Sequence, residues 1–291
     1  MRFITPSFIF ITGFIIGNTY PRKYGCNDWK AGIRLLIRGV KILIIFTLLN
    51  IAANTFIGST YKGQMPGLDG FIRAAPVIYG TGNTPAAFSI LIPISYVILI
   101  AAILFSVGNR STYTLRINCL TLFLCLHLVH YYGRPSANLD LIAVGLLGIV
   151  IGLSPIESVN RWVDHPYGLL LLYIGYIFAI TWGGMRYGFQ IVGACLSVML
   201  IYLVGLKLQL TAPVQGQIEL LGQYSLFGYI AQIGFLQLLH TGLSNLNLGP
   251  LGWWIVSFVG AVFLTLAAVN SMHTARSKST TINKVYGLAF S

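Results

Sequence analysis

From one end of this chain to the other, stretches of mostly apolar residues alternate with short polar punctuation. The stretches approach the roughly 20 residues that a helix needs to cross a bilayer. In hydrocarbon a segment must satisfy its own backbone hydrogen bonds, so only a helix or a closed barrel is open to it. A barrel is excluded because the segments are continuously apolar over helix length instead of alternating with period two. Span centres lie near Phe10, Leu48, Val97, Leu124, Leu147, Tyr173, Ser197, Tyr229 and Phe263. The expected fold is all-α, a polytopic transmembrane helical bundle of about nine spans. It forms a single integral membrane domain over 1–291, with a long outer loop at 59–85 and a cytoplasmic tail at 272–291.

Composition agrees. Hydrophobic residues make up 56% of the chain and charged residues 8%, whereas a soluble domain carries about 25% charged side chains. An ordinary soluble enzyme is thereby excluded. The net charge of +12 would suggest nucleic acid in a soluble protein. Here anionic lipid head groups and the positive-inside rule account for it, and no nucleic-acid partner is expected. With the N-terminus outside and the C-terminus cytoplasmic, 13 of the 18 Lys and Arg residues fall inside, and Arg2, Lys62, Arg73, Arg134 and Arg186 remain outside. That imbalance orients the chain in a cytoplasmic (inner) cell membrane. No cleavable signal peptide is evident, since Met1 and Arg2 give almost no basic n-region. Cys26, Cys119, Cys125 and Cys195 have no metal-ligand spacing, so neither a metal nor a disulfide is expected.

All six carboxylates (Asp28, Asp69, Asp140, Glu157, Asp164, Glu219) fall in loops or at helix ends. Ion-coupled carriers usually keep one within the membrane. Chemistry therefore passes to histidine and neutral polar groups. His127 and His130 stand at i and i+3 near the outer end of the fourth span, and a histidine suits general-base work near neutral pH. The alternative for each is a plain interfacial hydrogen bond. Arg134, Arg186 and His240 converge on the same outer side. On the inner side, Arg34, Arg38 and Lys41 recur at i, i+4 and i+7, a cationic stripe that can clamp the phosphates of an acyl carrier such as coenzyme A. The alternative is positive-inside anchoring by snorkelling side chains.

The stretch GQYSLFGYIAQIGFLQLLH cannot face lipid on every side, because unsatisfied polar groups are costly there. Ser225, Tyr229 and Gln232 share one face of it, which either bonds to a neighbouring helix or lines a substrate path. Gly145, Gly148 and Gly152 make a small-residue face for close helix packing. Tyr79 to Pro85, YGTGNTP, lacks the lysine that a phosphate-binding loop would need. The outer loop around it has the length of a functional or re-entrant segment.

Three local patterns together resemble the multi-pass membrane acyltransferase superfamily, which includes acyltransferase family 3, the periplasmic glucan succinyltransferases and the heparan-glucosaminide acetyltransferase relatives. They are PSFIFITGFIIG (Pro6 to Gly17), similar to an aromatic run followed by Ser/Thr-Gly-Phe; Arg34-Leu-Leu-Ile-Arg38 leading into a span; and GQYSLFGYIAQ (Gly222 to Gln232), similar to a C-terminal Gly-x-x-Ser-Leu-x-x-Tyr motif. The resemblance implies transfer of an acyl group, from a cytoplasmic acyl-coenzyme A or a membrane-relayed acyl group, to a hydroxyl or amine of a carbohydrate or lipid-linked glycan. On that reading Arg34, Arg38 and Lys41 hold the donor's phosphates, His127 or His130 is the base, and Ser225, Tyr229 and Gln232 line the acyl path. Family members precede the FITGF-like helix with another span that carries a functional histidine; this chain starts at the FITGF-like helix and reads as a diverged, shortened member or as the product of a late start. The other class open to the sequence is a non-enzymatic multi-pass protein, a facilitator or a subunit of envelope-polysaccharide assembly.

Overall fold

A computed structural model describes residues 4–25, 29–56, 68–83, 86–106, 111–133, 135–163, 165–184, 187–207, 211–243 and 249–290. Among these residues there is no strand. Thirteen helices follow one another: α1 (Ile4–Tyr24), α2 (Trp29–Phe56), α3 (Leu68–Gly80), α4 (Leu91–Ser106), α5 (Thr112–Tyr132), α6 (Ala137–Gly152), α7 (Ile156–Val163), α8 (Pro166–Gly183), α9 (Tyr187–Lys207), α10 (Ala212–Gln223), α11 (Ser225–Leu243), α12 (Pro250–Lys278) and α13 (Thr280–Phe290). Each of the nine expected span centres falls on a helix of its own. Five helices, α2, α5, α8, α9 and α12, contain segments long and apolar enough to cross a membrane, and α4, α6 and α11 are shorter and apolar. Their outward faces suit lipid: Leu171 is 69% exposed and Phe263 68%. The chain is thus a helical, membrane-embedded protein.

Four helices stand where loops or a tail were expected. In the stretch read as the outer loop, Leu68–Gly80 is helical, with Phe71, Ala74 and Ile78 buried on one face. Helices α7 and α10 precede α8 and α11, and α13 completes the tail. The polar stretch read as one span is divided at Tyr224, so α11 begins at Ser225. Glu219 accordingly lies within α10, where Gln215 Nε2 donates to it at 2.9 Å. Cys119, Cys125 and Cys195 are free thiols.

The chain divides into two compact units, 1–208 and 209–291. In the first, α1 and α6 are the most extensively packed pair, and they run parallel. Glycine makes this possible. A Cβ added to Gly13 would strike the Gly145 carbonyl, one on Gly148 the Phe10 carbonyl, and one on Gly152 the Phe14 carbonyl. Here the small-residue face expected in α6 meets its counterpart, the two glycines of ITGFIIG. Phe10, Val144, Ile191 and Ala194 form a buried cluster beside this seam, which draws α9 against it.

The start of α6 also fastens α3. Asn138, 4% exposed, donates through Nδ2 to the carbonyls of Ile78, Tyr79 and Gly80 at 2.9, 3.3 and 3.3 Å. Those carbonyls end a helix and would otherwise lack partners. Gly82, at φ +67°, lets the chain turn over the Asn138 amide. The YGTGN segment is therefore a capped helix end. Replacing Asn138 with Ala should cost about 1–3 kcal/mol, the cost of leaving buried groups unsatisfied, and hydrogen exchange at 77–82 should accelerate ahead of the rest of α3.

In the second unit, Tyr224, Val269 and Tyr286 form the buried cluster that seats α13. Arg276 Nη1 donates to Tyr224 Oη at 3.0 Å, its Nε and Nη2 reach Asn283 Oδ1 at 3.1 and 2.8 Å, and its guanidinium lies 4.1 Å from the Tyr286 ring centre. Burial raises the Tyr286 phenol above its ordinary range, against the pull of the Arg276 cation.

Candidate functional site

The site lies where α5 turns into α6. Helix α5 ends at Tyr132, Ser136 caps α6 by accepting from Leu139 N, and the short turn between them leaves the two helices antiparallel. His130 in the last turn of α5 and Asp140 in the first turn of α6 therefore stand at the same end of the bundle. His130 Nδ1 and Asp140 Oδ1 are 2.6 Å apart. Among the described residues it is the one contact of a basic side chain with a carboxylate, an ion pair whenever the imidazole carries a proton. Asp140 lies in the first turn of α6, at the positive end of the helix dipole.

Tyr187, the first residue of α9, completes the cluster. Its ring stacks on His130 with centroids 4.2 Å apart, and its hydroxyl donates to the Asp140 carbonyl at 3.1 Å. The His127 ring lies 5.5 Å from Tyr187 and 6.1 Å from Phe123. Its Nδ1 is buried and finds no hydrogen-bond partner among the described residues.

Beside the pair is a cavity of about 420 Å³, within the range of small-molecule sites. Thr5 and Pro6 of α1, Asp140, Leu141 and Val144 of α6, and Tyr187 and Gln190 of α9 contribute to its wall. Neither His127 nor His130 lines it. The sequence reading put the two histidines forward as equals, but the structure separates them: His130 is paired to the carboxylate that faces the cavity, and His127 is packed between rings. Asp140, Tyr187, Gln190 and Thr5 were not singled out as site residues. Asp140 alone left a usable signal, a carboxylate ten residues after His130 across a Gly-x-Pro-Ser turn.

The cationic stripe is elsewhere. Because α1 and α6 are parallel, the cavity at Thr5 and the α1 terminus at Tyr24 are separated by roughly 28 Å of helix rise. Arg34 belongs to the Tyr24 end: its Nη1 bonds the Tyr24 hydroxyl and its guanidinium lies 4.9 Å from that ring's centre. Arg38 and Lys41 stand one and two turns further along α2. A Cβ on the intervening Gly39 would meet Leu99 and Ser95 of α4, while Val97 contacts Gly145 near the middle of α6. The stripe thus climbs from one bundle end toward the middle without approaching the His130–Asp140 pair. Exposed aromatic rings mark both ends of this unit, with Tyr131, Tyr132 and Trp182 at the His130 end and Trp29, Tyr113 and Tyr167 at the other. Tyrosine and tryptophan gather at both membrane interfaces.

Ser225, Tyr229 and Gln232 lie on α11 in the second unit, with Ser225 exposed and the other two half-buried. Arg134 and Arg186, and the side chain of His240, lie outside the described residues. No group of three or more His, Cys, Asp or Glu side chains arranged to hold a metal occurs among the described residues. No protein-family model matches this chain, and no curated protein or solved structure matches it significantly.

Proposed function

We propose that this chain is a multi-pass membrane acyltransferase of about nine spans that moves an acyl group from acyl-coenzyme A to a carbohydrate or lipid-linked acceptor on the outer side of a cell membrane. The observation that carries this reading is the 2.6 Å His130–Asp140 contact beside a cavity. A carboxylate held against an imidazole can take up one proton as a unit, the task of a general base. An acceptor O–H or N–H gives its proton to the pair and attacks the acyl carbonyl. The new O–C or N–C bond forms as the thioester C–S bond breaks, and the departing sulfur takes up the proton.

The orientation draws on charge. In the first unit Arg22, Lys23, Lys30, Arg34, Arg116, Arg161 and Lys207 belong to the bundle end opposite the cavity, and among the described cations only Arg73 belongs to the cavity end. The positive-inside rule then faces the cavity outward. Arg34 on Tyr24, with Arg38 and Lys41 above it, offers phosphates a cationic ladder on the cytoplasmic side.

Purified protein in lipid vesicles, given acetyl-coenzyme A labelled in its acetyl group, should bind the donor and transfer or hydrolyse the label. Arg34→Ala and Arg38→Ala should each weaken coenzyme A binding. No transfer, no hydrolysis and no arginine-dependent binding would eliminate the proposal and leave a non-enzymatic membrane protein.

A further inference from the structure

Asp140 is the charged group in the cavity wall. The other polar contributors, Thr5, Tyr187 and Gln190, are neutral, and no Lys or Arg among the described residues lines it. One carboxylate oxygen, Oδ1, is held by His130, and the other has no hydrogen bond among the described residues. Such a wall is poorly suited to phosphates, uronates and other anions, which would meet the Asp140 carboxylate with no Lys or Arg among the described lining residues to offset it. A hydroxyl needs only a neutral hydrogen-bond partner, which Gln190 or Thr5 supplies. An ammonium group needs a counter-ion when it leaves water, and Asp140 is one.

We infer that this cavity takes a protonated primary amine and that the acceptor of the reaction is an amine rather than a hydroxyl group; this rests on the acyl-transfer reading for its chemistry, while the binding site stands on the wall itself. Bound as an ammonium, the amine is held by Asp140. To react it gives one proton to the Asp140–His130 pair, which passes it to water; the freed lone pair forms the N–C bond, the C–S bond breaks, and the second proton leaves the nitrogen for the departing sulfur.

The test compares glucosamine, N-acetylglucosamine and glucose, which share a ring and differ at one substituent. Calorimetric titration at pH 7 of the full-length protein in neutral lipid nanodiscs should show glucosamine binding about ten- to a hundredfold more tightly than the other two, as a charge-assisted hydrogen bond confers. Asp140→Asn should erase that preference. Equal affinities for the three sugars, no binding of glucosamine, or a preference that survives in a folded Asp140→Asn protein would overturn the inference. If the variant does not fold, the comparison on the unaltered protein decides alone. Acetyl transfer to glucose with no preference for glucosamine would sink the amine site and leave the acyltransferase standing. A glucosamine preference without any transfer would do the reverse.

Discussion

Replacing His130 with Gln is expected to slow acyl transfer by about 10²- to 10⁴-fold, the usual contribution of a positioned acid–base group. Glutamine keeps a hydrogen bond within reach of Asp140 but cannot accept the proton, so binding of the acceptor should change far less than the rate. Asp140→Asn should lose a similar factor. The double variant should lose little more than either alone, because residues that act as one unit are strongly non-additive. His127→Phe keeps a ring between Phe123 and Tyr187 and relieves a buried nitrogen that has no partner among the described residues; activity should stay within a few-fold of the unaltered protein. Single-turnover transfer from labelled acetyl-coenzyme A checks all four variants. A His127→Phe loss as deep as that of His130→Gln would reverse the assignment of the two histidines.

The largest effect on stability should come from Gly148→Leu. Its new Cβ would fall on the Phe10 carbonyl, and backbone has no rotamer by which to move aside. Since α1 and α6 meet through carbonyls and glycines, the helices would have to separate along the whole seam and lose the Phe10, Val144 and Ala194 cluster with it. A loss of about 4 kcal/mol or more is expected, seen as a thermal midpoint lower by about 10 °C or as failure to assemble. Gly13→Val should behave likewise, because its Cβ meets the Gly145 carbonyl. Gly216, with nothing within 4 Å of an added Cβ, supplies the control, and Gly216→Ala should leave the midpoint unchanged or slightly raised. Thermal unfolding in detergent distinguishes these outcomes.

How much of this was legible in the residues differs from feature to feature. The small-residue face of α6 could be read directly, since Gly145, Gly148 and Gly152 recur on one side of a helix and such a face has little use in a membrane except close approach. What it approached was hidden: the complementary Gly13 and Gly17 sit about 130 residues away, and no local pattern joins them. Helix α3 was missed because Pro76 and two glycines, Gly70 and Gly80, give the segment the composition of a loop, while its apolar face becomes meaningful only once Asn138 caps it from another helix. The stripe of Arg34, Arg38 and Lys41 was correct as periodicity. Its depth in the bundle followed from packing against α4, which the sequence does not encode locally.

The sequence by itself determined that this is a helical protein of the membrane and where its long apolar helices lie, because a bilayer imposes length, apolarity and internal hydrogen bonding on each segment separately. Only the tertiary structure decided which histidine has a carboxylate, that Asp140 rather than either histidine faces the cavity, and that the cationic stripe stands away from both. Those facts depend on how helices are rotated and staggered against one another, set here by glycine seams and a capped turn, and a hydrogen bond made within 3 Å cannot be read from a pattern that fixes only which residues share a face.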